Sequence, residues 1–173
     1  MFSLYLTGNK ETDDKSVLEY LSLLLEEGND SLYAVSTLSN ISALLKWYIP
    51  SINWLGFYLR RGRKLVLGPF QGEPACTEIP FSRGVCGKCA TEGKTIIVQD
   101  VELFPGHIAC SSLSKSEIVV PLIKEGHLYG VLDVDSPEKG RFGEGERVLL
   151  ERAASLLSDS NLPEHLKVFA ERE

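Results

Sequence analysis

The sequence predicts an α+β domain in which a mainly antiparallel sheet of six strands is flanked by helices on one side. Apolar residues recur every three or four positions near both ends of the chain, which is typical of helices. The middle instead alternates apolar and polar residues with the two-residue period of strands. A chain of 173 residues is long enough for one domain with a full core and too short for two ordinary ones.

Three helices are predicted from their apolar stripes. The first begins at Asp13 or Asp14, whose carboxylate can accept hydrogen bonds from the free amides of the first turn. Pro50 ends the second, because proline lacks the amide proton that a helix needs. The predicted ranges are 13–27, 32–48 and 143–158. The chain thus divides into leading helices (about 13–48), a core (about 53–137) and a closing helix (about 143–158).

Six strand candidates lie in the core. In the first, alternation places Leu55 and Phe57 on one face and Trp54 and Tyr58 on the other. The predicted strands are 53–60, 64–67, 75–79, 95–98, 117–123 and 128–135. Two segments, 83–92 and 100–116, are predicted as long loops that cover the second side of the sheet. Long loops in compact domains often carry function.

Composition and charge exclude several classes of function. The net charge is −6, and the basic cluster of Arg60, Arg61, Arg63 and Lys64 surrounds a predicted turn, so a broad nucleic-acid surface is not expected. The sequence contains no run of 18 apolar residues and does not start like a secretory signal. We therefore expect a cytoplasmic protein, without a membrane partner, whose cysteines are kept reduced.

The cysteines suggest thiol chemistry. Cys86 and Cys89 form a C-x-x-C pair, but a zinc site would need a second pair, for which only His107 and Cys110 are nearby substitutes. A thioredoxin-like site would need a parallel βαβ unit, which the pattern does not predict. Cys110 is the better candidate nucleophile, because it lies in a polar loop whose amides and histidine can favour the thiolate.

Acidic residues lie at unusual places near the end of the core. Alternation puts Asp133 and Asp135 on the same face of one strand, and Glu117 opens the neighbouring strand. Three carboxylates together would attract an ammonium group, and their repulsion would raise the pKa of at least one of them. Trp54 and Tyr58 could form an apolar wall, although each can equally be a core residue.

Together these residues closely resemble the free methionine-(R)-sulfoxide reductases, which are built on a GAF domain. The matching segments cover most of residues 53–137 in family order: Asn53–Tyr58, Leu67–Gly72, Pro74–Cys76, Arg83–Gly87, Phe104–Cys110, Ser116–Pro121 and Gly130–Pro137. The resemblance implies a GAF-like single domain with a six-stranded antiparallel sheet. It also implies the substrate, free methionine-(R)-sulfoxide. Cys89 departs from the family pattern, in which that position is usually a small residue other than cysteine.

The resemblance also implies roles for individual residues. Cys110 matches the nucleophile, and Cys76 and Cys86 match the cysteines that resolve its oxidised form. Glu117, Asp133 and Asp135 match the acidic substrate-binding residues, and one of these acids is expected to donate a proton to the sulfoxide oxygen. Trp54 and Tyr58 match the aromatic substrate-binding residues.

The expected reaction needs no metal or organic cofactor, only an external dithiol reductant such as thioredoxin. Among partners we also allow for a homodimer. Two other classes of function stay open at this point. The first is a non-catalytic GAF sensor of a small ligand, and the second is a redox or zinc module centred on Cys86 and Cys89.

Overall fold

The structure is a computed structural model that describes residues 3–26, 30–106 and 112–170. Within these ranges the chain forms five α-helices and six strands. The helices are α1 (Lys10–Glu26), α2 (Ser31–Tyr48), α3 (Gly84–Glu92), α4 (Glu144–Asp159) and α5 (Leu162–Ala170). The strands are β1 (Trp54–Arg61), β2 (Lys64–Gln71), β3 (Glu78–Pro80), β4 (Ile96–Val98), β5 (Ser116–Lys124) and β6 (His127–Ser136).

The six strands of the described chain form one sheet in the order β3-β2-β1-β6-β5-β4. Each neighbouring pair is antiparallel, which confirms the predicted sheet. A two-residue turn joins β5 to β6 at Glu125 and Gly126. Both turn residues have positive φ angles, 51° and 77°, and a turn of this kind matches the right-handed twist of the strands.

The two faces of the sheet are buried in separate cores. Helices α1, α2, α4 and α5 pack on the face that carries Leu55, Phe57, Leu132 and Val134. Helix α3 covers the other face, which carries Trp54, Tyr58, Val119 and Val131. The alternation predicted for β1 and for the end of β6 is therefore confirmed, and the two faces have different neighbours.

Helix α3 corrects the predicted loop over residues 83–92 and the prediction that helices lie on one side only. Its two glycines weaken the helical signal, since glycine is a poor helix former. Packing explains the helix: a Cβ atom at Gly87 would lie 2.5 Å from the carbonyl oxygen of Pro80, so only glycine allows this close approach. Gly93 ends the helix in the left-handed conformation, with φ 63°.

Smaller corrections concern the chain ends and the strand limits. Asn9, rather than Asp13 or Asp14, accepts a hydrogen bond from a first-turn amide of α1, while Asp13 binds the amides of Thr7 and Gly8. The sequence did not predict α5. Strand β2 runs four residues beyond the predicted 64–67, and β3 is shorter than the predicted 75–79. None of the described helices has the length and apolar character to cross a membrane.

Candidate active site

The predicted acids and aromatic residues meet on the sheet face that α3 covers. The register of β1 and β6 places Trp54 opposite Asp135 and Gly56 opposite Asp133. The register of β5 and β6 places Glu117 opposite Asp135. Because β1, β6 and β5 are consecutive in the sheet, the three carboxyl groups lie in one patch beside Trp54.

Two carboxyl groups of this patch are buried, and the third, that of Asp135, is half-buried. Glu117 and Asp133 are each 6% exposed. Burial raises the pKa of Glu117, and the charges of Asp133 and Asp135 raise it further. Burial likewise raises the pKa of Asp135, with the charge of Asp133 as the second cause. The pKa values of Glu117 and Asp135 are therefore both raised, which favours the protonated forms and agrees with the rise predicted for at least one of the three acids.

Asp133 lies at the centre of the patch. Burial raises its pKa to about 6, although hydrogen bonds from Cys86 and Glu117 lower it. Its Oδ1 atom is buried and accepts no hydrogen bond from the described part of the chain. A buried carboxylate oxygen without a donor is costly, so this atom suits a ligand that brings a hydrogen-bond donor or a positive charge.

Helix α3 brings the thiol of Cys86 to the carboxyl groups. Cys86 is 3% exposed, and its Sγ lies 3.9 Å from Oε1 of Glu117. The thiol and carboxylate atoms of Cys86, Glu117 and Asp133 all lie within 4.8 Å of one another. Burial raises the pKa of the Cys86 thiol, and the charges of Asp133 and Glu117 raise it further.

Cys89 faces a different partner. Its Sγ lies 3.6 Å from the carbonyl oxygen of Val119, and its side chain is fully buried. Burial also raises the pKa of this thiol. Both Cys86 and Cys89 are free thiols. The C-x-x-C pair thus presents its two sulfur atoms to separate groups, a carboxyl and a backbone carbonyl.

A stacked aromatic wall lies beside the acids. The ring centroids of Trp54 and Tyr58 are 5.9 Å apart, and those of Trp54 and Phe70 are 5.4 Å apart. The indole Nε1 of Trp54 donates a hydrogen bond of 3.0 Å to the carbonyl oxygen of Glu73. The two stacking contacts and this hydrogen bond hold the Trp54 ring in place. The sequence analysis missed Phe70, because its position on β2 lies beyond the predicted end of that strand.

Cys76 packs against the core on this face of the sheet. Cys76 is disulfide-bonded and half-buried. Its carbonyl oxygen accepts a hydrogen bond of 3.0 Å from the hydroxyl of Tyr58, which links the aromatic wall to the cysteine. The predicted nucleophile Cys110 and the nearby His107 lie outside the described residues.

Two further polar residues border the carboxyl groups. Asn53 donates from Nδ2 to Oγ of Ser114 over 3.1 Å, and Ser114 in turn hydrogen-bonds the side chain of Asp135. The backbone amide of Asn53 also donates to the backbone carbonyl oxygen of Asp135. The sequence analysis assigned neither residue a role. Asn53 opens the matching segment at β1, whereas nothing in the sequence around Ser114 indicates its position.

This arrangement suits a small ligand with a cation at one end and an apolar group at the other. The buried carboxyl groups can pair with a positive charge, and a protonated carboxyl can donate to an oxygen atom. The aromatic rings provide a flat apolar contact.

Comparison with known proteins assigns the family. A model of the GAF domain matches residues 17–160. The free methionine-R-sulfoxide reductase of Escherichia coli (strain K12) is 46% identical over 137 residues, which cover 79% of this chain and 83% of that protein. The free methionine-R-sulfoxide reductase of Saccharomyces cerevisiae is 42% identical over 161 residues, covering 88% of this chain and 87% of that protein.

A solved structure extends the match to the whole fold. The X-ray structure of free methionine-R-sulfoxide reductase from Neisseria meningitidis in complex with its substrate superposes with a TM-score of 0.86 at 40% identity. The alignment covers 98% of this chain and all of that chain. The predicted GAF fold is thereby confirmed. This chain belongs to the GAF-domain family and, within it, to the free methionine-R-sulfoxide reductases.

Proposed function

We propose that this protein reduces free L-methionine-(R)-S-oxide to L-methionine. One observation carries the proposal: two buried carboxyl groups and one half-buried carboxyl group lie beside a stacked aromatic wall, in a chain whose relatives are named for this activity. The substrate ammonium supplies the positive charge that the carboxyl groups attract, and the rings of Trp54 and Tyr58 receive the methyl group. A peptide-linked methionine sulfoxide lacks that ammonium, so the free amino acid is preferred.

One of the three acids, Glu117, Asp133 or Asp135, activates the sulfoxide. A sulfoxide sulfur is a weak electrophile until its oxygen is hydrogen-bonded or protonated, and a carboxyl with a raised pKa can supply that proton. Glu117 is the preferred donor because burial and two neighbouring carboxylates favour its protonated form. Asp133 and Asp135 then hold the ammonium.

Cys110 is the nucleophile of the proposed reaction. Its thiolate attacks the sulfoxide sulfur while the oxygen takes the donated proton, which gives an adduct with a bond between the two sulfur atoms. The hydroxyl then passes to Sγ of Cys110 as the S–S bond and the substrate S–O bond break, which leaves Cys110 as a sulfenic acid. The thiol is oxidised by two electrons and the sulfoxide is reduced by two, which releases methionine. The thiol of Cys76 next forms a disulfide with Cys110, and the hydroxyl leaves as water. The disulfide-bonded state of Cys76 and the free thiols of Cys86 and Cys89 support Cys76 as the resolving cysteine.

An external dithiol such as thioredoxin completes the cycle. Thiol–disulfide exchange restores Cys110 and Cys76 as thiols and leaves the reductant as its own disulfide. Cys76 is half-buried between the exposed segments 71–74 and 77–78, which supports access by a protein reductant. The scheme uses no metal or organic cofactor, and it suits the cytoplasm, where thiol reductants are maintained.

A homodimer is also proposed. Leu32, Tyr33 and Val35 are exposed apolar residues on one helix, α2, and such a surface supports contact with a second copy. Sedimentation velocity of the wild type and of Leu32→Lys tests this part. A monomer at every concentration would contradict it.

The experiment that tests the proposed activity is a single-turnover assay without reductant. Free methionine-(R)-sulfoxide is mixed with the wild type, Cys110→Ser and the matched control Cys89→Ser. We expect about one methionine per protein from the wild type and the control, and none from Cys110→Ser. Binding of the sulfoxide without any methionine would instead indicate a GAF sensor, and wild-type product from Cys110→Ser would remove Cys110 as the nucleophile.

A further inference from the structure

We propose that Cys86 is a positioning residue whose thiol stays reduced through the reaction cycle and donates a hydrogen bond to the buried carboxylates of Glu117 and Asp133. This inference rests on the proposed reductase activity. The family resemblance implied that Cys86, like Cys76, resolves the oxidised nucleophile. The proposal gives Cys86 a different role.

The first support is the position of the thiol. Cys86 lies in the first turn of α3 and points between two carboxyl groups of the sheet, with Sγ 3.9 Å from Oε1 of Glu117. Oxygen and sulfur atoms of Cys86, Glu117 and Asp133 lie within 4.8 Å of one another, and all three side chains are at least 94% buried. Within this triad the thiol is neutral and donates, and carboxyl oxygens of Glu117 and Asp133 accept; a protonated Glu117 still accepts through its carbonyl oxygen.

The second support is that α3 is held in place behind the thiol. Gly87 follows Cys86 directly, and a Cβ atom there would lie 2.5 Å from the carbonyl oxygen of Pro80. Thr91, one turn later, donates a hydrogen bond of 2.8 Å to the carbonyl oxygen of Phe81. The backbone of the helix is therefore fixed against the segment 80–81, so Cys86 is presented to the carboxyl groups in one position.

The third support is chemical. A resolving cysteine must attack the sulfenic sulfur as a thiolate, but the surroundings of Cys86 oppose that charge. The groups that face it are Glu117 from β5, Asp133 and Asp135 from β6, and Tyr58 from β1. None of these groups carries positive charge, and the three acids are negative when ionised. Cys76, in contrast, is the cysteine of the described chain that is disulfide-bonded.

The donated hydrogen bond has a predictable effect on the acids. A donor to a carboxylate favours the ionised form, so Cys86 lowers the pKa of both Asp133 and Glu117. Asp133 must be ionised to hold the substrate ammonium. Loss of the thiol therefore shifts this ionisation to higher pH and weakens substrate capture on the acidic side of the pH profile.

The experiment compares the pH profiles of kcat/KM for Cys86→Ala, Cys86→Ser and the matched control Cys89→Ala. All three changes fall on α3, but Cys89 donates to the backbone of Val119 rather than to a carboxyl. We expect Cys86→Ala to lose about tenfold in kcat/KM at pH 6 and about twofold or less at pH 8, the size expected for a hydrogen bond to a charged group. Cys86→Ser, which keeps a donor, should retain the wild-type profile, as should Cys89→Ala. Equal loss at both pH values, or equal profiles for Cys86→Ala and the wild type, would overturn the proposal.

A second measurement uses the wild type alone, so its outcome does not depend on whether a variant folds. After one equivalent of free methionine-(R)-sulfoxide without reductant, denatured protein is alkylated and the cysteines are mapped. We expect methionine to form and Cys86 to be fully alkylated. Methionine formation with Cys86 found in a disulfide overturns the positioning role but leaves the reductase activity standing. Absence of methionine contradicts the proposed activity itself, so the two failures are distinguishable.

Discussion

Glu117 and Asp135 lie directly opposite each other on neighbouring antiparallel strands, with both carboxyl groups on the sheet face that α3 covers. Two like charges in this relationship destabilise a sheet, and burial increases the cost. Burial raises the pKa of both groups and the charge of Asp133 raises it further, while the charge of Asp135 adds to the rise at Glu117. The fold therefore tolerates an unfavourable pair at the place where a cationic ligand would remove the repulsion.

The cost of burying the charge of Asp133 predicts how the stability of the protein depends on pH. Burial raises the pKa of Asp133 from 3.8 to about 6 in the folded protein. The protonated Asp133 carboxyl contributes fully to stability below about pH 4. As the pH rises through 6 this contribution is lost, and the free energy of unfolding falls by about 3 kcal/mol. In Asp133→Asn this loss disappears, so at pH 7 we expect the free energy of unfolding to exceed that of the wild type by about 1–3 kcal/mol. Urea denaturation at pH 4.5 and pH 7 measures both values.

The matched control for this prediction is Asp159→Asn, at an exposed aspartate near the end of α4. We expect its free energy of unfolding to follow that of the wild type at both pH values. An Asp133→Asn variant less stable than the wild type at pH 7 would contradict the prediction.

Trp54 is predicted to determine substrate affinity. Trp54→Ala removes the ring that stacks on both Tyr58 and Phe70, and we expect KM for methionine-(R)-sulfoxide to rise by about tenfold or more. Trp54→Phe keeps an aromatic surface and loses the hydrogen bond to Glu73, so its effect should be smaller. Steady-state kinetics distinguish the two. Trp47→Ala, at a half-exposed tryptophan on α2, should leave KM unchanged.

Gly56 is predicted to be required beneath the aromatic wall. A Cβ atom at this position would lie 2.7 Å from Cη2 of Trp54 and would also overlap Cβ of Phe70. We expect Gly56→Ala to lower the free energy of unfolding by about 1–3 kcal/mol and to raise KM, because overpacking displaces the rings. Gly145→Ala in α4 should instead stabilise the protein by about 0.5 kcal/mol, since alanine is the better helix former. Thermal unfolding of both variants measures the contrast.

Cys76 is predicted to be dispensable for the first turnover and required for later ones. Cys76→Ser should form about one methionine per protein without reductant and should then stop, because the sulfenic acid on Cys110 has no partner thiol. With thioredoxin in excess, we expect its steady-state rate to fall about a hundredfold or more relative to the wild type. Wild-type turnover in this variant would assign resolution to another cysteine.

Periodicity was sufficient to predict most of the fold. The strands β1, β5 and β6 and the helices α1, α2 and α4 follow from patterns that extend over eight or more residues. Helix α3 could not be predicted in this way, because Gly84 and Gly87 weaken its local preference and its stability comes from packing against residues 80–81. Helix α5 is nine residues long, and a pattern of that length does not by itself distinguish a helix from other structure.

The site was predictable to the extent that it depends on alternation within strands. Asp133, Asp135, Trp54 and Tyr58 share a face because of the two-residue period of β1 and β6. The contact of Cys86 with Glu117 and Asp133 was not predictable, because it depends on how helix α3 packs on the sheet. The same holds for Ser114, whose contact with Asp135 depends on how the segment before β5 folds back.

The proposed activity is best tested by a turnover assay with thioredoxin, using the R and S epimers of free methionine sulfoxide and a peptide-linked R epimer. We expect methionine from the free R epimer, and a kcat/KM at least about a hundredfold lower for the other two substrates. The peptide-linked epimer lacks the ammonium that the carboxyl groups bind, and the free S epimer exchanges the positions of the methyl group and the oxygen, which turns its oxygen away from the proton donor. Equal rates with the free and the peptide-linked R epimers, or no methionine from the free R epimer, would contradict the proposed function.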